Sequence, residues 1–115
     1  MNKIKIQLEQ VIEKRLTYLV SNNFEFTVEG KPTQLSKIIG VSLYMQKDFD
    51  EELRDGEINI VSLSGSVNVL EKTKFGSELV NFVFRQSNVE IMFDWNNKEF
   101  SIKDIEKFRF SKSRI

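Results

Sequence analysis

The chain has 115 residues, 40% of them hydrophobic, with ten Phe and one Pro; this is the size of one domain that hides roughly 65% of its unfolded surface, and a composition far from disorder. Seventeen basic and seventeen acidic residues cancel, which excludes a global field that would draw the molecule to nucleic acid or to an anionic membrane. Histidine and cysteine are both absent, which removes Ser-His triads, thiolate nucleophiles, disulfides and the usual zinc ligands.

From Lys3 to Ser21 the apolar residues Ile4, Leu8, Val11, Ile12, Leu16, Leu19 and Val20 follow the stripe of an amphipathic helix. The opposite face carries Gln7, Gln10, Glu13, Lys14 and Thr17, and Asn22-Asn23 marks the stop. Residues 24–28 alternate as a strand, and Gly30 and Pro32 signal a turn after it. Residues 33–46 read two ways. Leu35, Ile38 and Ile39 are spaced for a helical turn, whereas Ile39, Val41, Leu43 and Met45 alternate; the alternation favours a strand over about 37–46. Asp48 to Glu57, DFDEELRDGE, follows as an acidic loop or a single helical turn closed by Gly56.

Residues 57–72 read as a hairpin with Ser64-Gly65 at its tip, pairing Ile60 with Val69 and placing Ile58 and Val67 on one face. Two further turn signals divide residues 79–103 into three strands. With a turn at Ser87-Asn88, Phe84 meets Ile91, Phe82 meets Phe93 and Val80 meets Trp95 on an apolar face, while Arg85 meets Glu90 and Val83 meets Met92 behind it. A second turn at Asn96-Asn97 sets Phe93 opposite Phe100, Ile91 opposite Ile102 and Glu90 against Lys103. That register also puts Asp94 directly across from Glu99, a like-charge pair that ordinarily destabilises a sheet. Ser101 and Asp104 then outline a weak capping box for a short helix bearing Ile105 and Phe108, before a frayed polar tail over residues 111–115.

The expected fold class is α+β: an N-terminal amphipathic helix packed on a six- or seven-stranded, mainly antiparallel sheet. The sheet is a meander of hairpins, with curling toward a half-barrel left open. One domain covers residues 1–115, and residues 24–28 and 98–103 are candidates for an exposed edge.

No phosphate-cradling G-x-x-x-x-G-K, G-x-G-x-x-G or G-x-S-x-G motif is present. Asp94 and Glu99 form a carboxylate pair that in principle suits acid-base work; two carboxylates diverging into solvent is the better-supported reading. Asp48, Asp50, Glu52 and Asp55 offer oxygen ligands to a hard cation, but an EF-hand loop requires glycine at its sixth position and Leu53 stands there. No catalytic residue, metal site or cofactor is assigned. The basic run Lys103, Lys107, Arg109, Lys112 and Arg114, interleaved with Phe100, Phe108 and Phe110, outlines a single-strand stacking platform, interrupted by Asp104 and Glu106.

Charge is unevenly spread: residues 48–57 hold six acidic groups and one basic group, against seven basic and four acidic in residues 1–47. Such a block speeds encounter with a basic partner and rejects acidic ones. The expected function is therefore non-enzymatic protein binding, most specifically a bacterial immunity protein that occludes a basic toxin domain. The partner-binding residues are Asp48, Phe49, Asp50, Glu51, Glu52, Leu53, Asp55, Glu57, Glu90, Asp94 and Glu99. Nucleic-acid binding through the basic C-terminal run, and a carboxylate-dependent enzyme or metal-binding domain, are the alternatives. No run of about 18 uncharged apolar residues exists and charges occupy the first ten residues. The expectation is a cytoplasmic protein, monomeric or weakly dimeric. The absence of alanine beside abundant Lys, Asn, Ile and Phe fits an A+T-rich bacterial gene.

Overall fold

A computed structural model describes residues 3–44 and 53–113. Among the described residues the elements are one helix, α1 (Lys3–Ser21), and seven strands. In chain order the strands are β1 (Glu25–Val28), β2 (Lys31–Gln34), β3 (Lys37–Leu43), β4 (Ile58–Thr73), β5 (Gly76–Asp94), β6 (Glu99–Ile102) and β7 (Arg109–Lys112), with one 3₁₀ turn over Ile105–Lys107 before β7. The class is α+β, and the sheet is open.

The helix forms where the apolar stripe lies. Ile4, Leu8, Ile12, Leu16 and Leu19 are buried, each contributing about 1.5–3 kcal/mol relative to exposure. It stops because Asn23 takes a left-handed conformation (φ 58°). The amide of Phe24 then donates to the carbonyl of Leu19 (3.0 Å) and that of Asn23 to Val20 (3.1 Å), the bond pair of a Schellman motif. Glu9 tethers the helix to the sheet by accepting a 2.7 Å hydrogen bond from the Leu43 amide.

Strand order is β2-β1-β7-β5-β4-β3, with β6 pairing the far half of β5. Positive φ at both Glu29 (50°) and Gly30 (78°) closes the β1–β2 hairpin with a two-residue turn, and Pro32 sits in the edge strand rather than in the turn. Residues 37–43 form a strand, so the alternation outweighs the helical spacing there. Strand β1 lies between β2 and β7 and is not an edge, whereas β6 is one.

The largest correction concerns the two turn signals of the middle. Residues 58–73 and 76–94 are each one continuous strand, paired to one another from Ile58↔Met92 to Thr73↔Gly76. Ser64-Gly65 lies in mid-strand. A Cβ on Gly65 would stand 2.5 Å from the Ser42 carbonyl oxygen, so the glycine is needed for the approach of β3 and not for a reversal. Ser87-Asn88 is likewise a bulge: Val61 pairs with Val89 but Leu63 with Gln86, and Asn88 carries the left-handed φ of 57°. Val67, Gly65, Asn59 and Ile58 therefore stand where Phe82, Phe84, Ile91 and Met92 were expected to find partners within residues 79–95.

The bulge has a purpose in the core. Phe82 and Phe84 face inward at even positions, Val89, Ile91 and Phe93 at odd ones, and all five are buried. The extra residue switches the parity and keeps both sets on one side. Without it Glu90 and Met92 would turn in.

The Asn96-Asn97 reversal does occur, with the expected pairs Phe93↔Phe100, Ile91↔Ile102 and Asp94↔Glu99. Its left-handed residue is Lys98 (φ 54°) rather than an asparagine. After β6 the expected capping box does not form: Ser101 stays in the strand, and Asp104 takes the N-cap position without a side-chain bond. The C-terminal segment is not frayed through residue 112. Strand β7 inserts between β1, to which it runs parallel, and β5. Its Phe110 ring packs edge-on between Phe26 (5.9 Å) and Phe84 (5.8 Å).

Candidate functional site

The helix covers one face of the sheet, touching β3, β6 and the 3₁₀ turn. No other element among the described residues lies across the opposite, outer face. Along β4 the inward positions are Asn59, Val61, Leu63, Gly65, Val67 and Val69, and the outward ones are Ile58, Ile60, Ser62, Ser64, Ser66 and Asn68. Most of the outer row is small and polar. Its first two members are not.

Ile58 (63% exposed) and Ile60 (65%) stand beside Met92 (47%), Ile58 and Met92 being direct cross-strand partners. The three form a contiguous apolar patch on the bare face, and Ile58 and Met92, with Ile102, border a shallow concavity of about 350 Å³ that also touches Glu90 and Lys103. Carboxylates surround it. Glu90 is the cross-strand partner of Ile60, Asp94 lies two residues beyond Met92 on the same face, and Glu99 opposes Asp94. Glu57 adjoins Ile58 in the chain and is exposed.

The acidic segment reaches this place by a specific clamp. Asn59, buried among apolar neighbours, accepts the Arg54 amide on Oδ1 (2.8 Å) and donates from Nδ2 to the carbonyls of Arg54 (2.9 Å) and Glu57 (3.1 Å). Gly56 donates to the Phe93 carbonyl (2.9 Å), and the Asp55 carboxylate accepts the Trp95 amide (3.0 Å). The end of the segment is thereby laid along the β5–β6 turn.

Of the residues expected to meet a partner, Asp48, Phe49, Asp50, Glu51 and Glu52 lie outside the described residues. Leu53 is buried in the main core and does not offer its side chain. Asp55 is engaged with the β5–β6 turn. Glu57, Glu90, Asp94 and Glu99 are gathered around the apolar patch. Two of them pair locally, Glu57 with Arg54 (3.7 Å) and Glu90 with Lys103 (3.3 Å), both in solvent-accessible geometry. Exposed pairs of this kind contribute about 0–1 kcal/mol and exchange readily for others.

The Asp94–Glu99 opposition is real, and the structure shows how the sheet tolerates it. Asp94 turns its oxygens into the reversal, accepting the side-chain amide of Asn97 (2.6 Å) and the backbone amides of Asn96 (3.0 Å) and Asn97 (3.2 Å). These bonds, the Asn97 side chain first, hold its carboxyl below the ordinary value. A general acid requires the opposite direction. Among the described residues no group of three acidic side chains gathers as a metal site.

The stacking platform does not form either. Phe108 and Phe110 are buried and Phe100 half-buried against Phe93 and Trp95. Lys103 and Lys107 are drawn to Glu90 and Asp104 (3.9 Å).

Ile58, Ile60 and Met92 are absent from the expected interface because a turn at Ser64-Gly65 pairs Ile60 with Val69 and hides the single long strand that sets the isoleucines beside Met92. The even positions Ser62, Ser64, Ser66 and Asn68 carry the missing signal: read as one unbroken strand, they put Ile58 and Ile60 outside. Comparison with known proteins finds no match among family models, curated proteins or solved structures.

Proposed function

We propose that this chain is a small, non-enzymatic protein-binding domain, and most specifically a bacterial immunity protein acting in the cytoplasm. It binds a basic toxin domain and occludes an active site built for a polyanionic substrate. One observation carries this reading: an apolar centre of Ile58, Ile60 and Met92 stands uncovered on the helix-free face, rimmed by Glu57, Glu90, Asp94 and Glu99. An apolar centre within a charged rim is the usual anatomy of a protein interface. The centre supplies lasting contact, and the rim supplies encounter rate and discrimination.

The occupant that suits this patch is a protein surface rich in Lys and Arg with an aliphatic or aromatic anchor. Absence of histidine and cysteine supports a role in covering a substrate site rather than transforming a substrate. Among the described residues no helix is long and apolar enough to cross a membrane.

The test produces the proteins encoded by the adjacent genes with and without the chain in a susceptible host, and titrates each against the chain by calorimetry. Protection is expected, together with salt-sensitive binding. Glu90→Lys with Glu99→Lys slows association, and Ile60→Ser speeds dissociation. Unprotected cells and no heat of binding would end the reading.

A further inference from the structure

We propose that two copies of this chain pair face to face about a two-fold axis, each seating the tip of its β4–β5 hairpin on the outer-face patch of the other. The observations are at the far end of the same hairpin. Strand β3 reaches only as far as Leu70 of β4, and β7 only Phe82 of β5. Beyond these rows, among the described residues, Glu71 to Glu78 form a bare two-stranded arm. A hairpin without flanking strands is marginal in water on its own.

At its tip, Phe75 is 99% exposed in a two-residue loop between Thr73 and Gly76, a place where Gly, Asn or Asp ordinarily stands. A side chain of this size with no contact within its own molecule contributes nothing to folding, yet carries the area of an interface anchor. The arm is also sided. By alternation its outward positions are Leu70, Leu79 and Lys72, whereas Glu71 and Glu78 oppose each other on the inward side. Lys74 adjoins Phe75 in the loop, and Leu79 is 61% exposed.

One end of the outer face is thus apolar and basic, the other apolar and acidic. The tip cannot reach its own chain's patch, since Thr73 lies thirteen positions beyond Ile60 and a strand rises about 3.3 Å per residue, which places them about 43 Å apart. Two copies laid antiparallel bring each Phe75, with Lys72 and Lys74, to the Ile58–Met92 concavity and its Glu57 and Glu90 rim. Both contacts form at once, as a two-fold interface demands. Between them Ser62, Ser64 and Ser66 leave room for sheets to approach to the usual spacing of about 10 Å. A net charge of zero imposes no repulsion between copies. This pairing holds whether or not a foreign toxin exists; where one does, the two compete for the patch.

Sedimentation velocity on the purified chain alone, from about 1 to about 500 µM, decides the matter. A monomer–dimer equilibrium is expected that weakens in about 0.5 M salt. Phe75→Ala, on a fully exposed side chain and so with unchanged melting temperature at concentrations where the chain is monomeric, raises the dissociation constant about tenfold or more. Lys72→Glu with Lys74→Glu abolishes the dimer, and adding Glu57→Lys and Glu90→Lys restores it. A monomer throughout, a dimer indifferent to Phe75→Ala, or an open-ended series of larger species would overturn the proposal.

Discussion

Gly65 gives the sharpest test of the long-strand architecture. A methyl group there would lie 2.5 Å from the Ser42 carbonyl oxygen, 3.0 Å from Phe84 Cζ and 3.1 Å from Leu43 Cδ2. Overpacking of this kind costs about 1–3 kcal/mol. The nearest atom is backbone and cannot swing aside, so Gly65→Ala belongs at the upper end. Removing glycine's freedom from the unfolded chain returns about 0.4–1 kcal/mol, leaving a net loss of about 2–2.6 kcal/mol. For a chain of 115 residues the entropy of unfolding is about 0.24 kcal/mol/K, so the melting temperature falls by about 8–11 °C. Calorimetric melting of Gly65→Ala and Gly65→Asn distinguishes the two readings of this position. At a hairpin tip asparagine is nearly as good as glycine, because it accepts left-handed backbone. In mid-strand, against the Ser42 oxygen, it is worse than alanine. A Gly65→Asn protein more stable than Gly65→Ala, or an alanine variant within about 0.5 kcal/mol of the parent, would refute the close-approach argument.

The bulge is tested by deletion. Removing Asn88 restores unbroken alternation and sends Val89, Ile91 and Phe93 outward, so no cooperative thermal transition should remain; a well-folded deletion variant would show the parity argument to be wrong. Asn59→Ala leaves the Arg54 amide without its acceptor and should cost about 1–3 kcal/mol in urea unfolding, with faster amide hydrogen exchange at Arg54. Asp94→Asn should destabilise at neutral pH, because a carboxylate held below its ordinary value of 3.8 contributes stability that is fully present above that value. That contribution is lost as the pH falls through the depressed folded value, so parent and variant curves should converge on acidification; a gap that widens with acid would contradict the capping role.

How far the fold and the site can be read from residues depends on how local each interaction is. The helix, its Schellman stop at Asn23 and the β5–β6 register are all set by groups within a few positions of one another, and all three are legible. The same holds for Glu90 meeting Lys103 across that hairpin. The apolar centre of the candidate site was hidden for the opposite reason. Whether Ile58 faces in or out depends on whether the chain reverses six residues later, and that is decided by β3 and β5 lying alongside.

Composition and periodicity alone determined the α+β class, the amphipathic helix over Lys3–Ser21, the inward face shared by Phe82, Phe84 and Phe93 on their respective runs and the crowding of acid before Ile58. Glycine, serine and asparagine in mid-chain report only that the backbone leaves regular extension, because their small or self-bonding side chains permit both a reversal and a bulge. Which of the two occurs follows from whether a neighbouring strand continues the hydrogen-bond ladder past that point, a contact made across 19 residues between Gly65 and its partner Phe84 and across 23 between Gly65 and Ser42. Tertiary structure alone therefore decided that two long strands replace four short ones, that β7 enters parallel to β1, and that the helix leaves Ile58, Ile60 and Met92 uncovered.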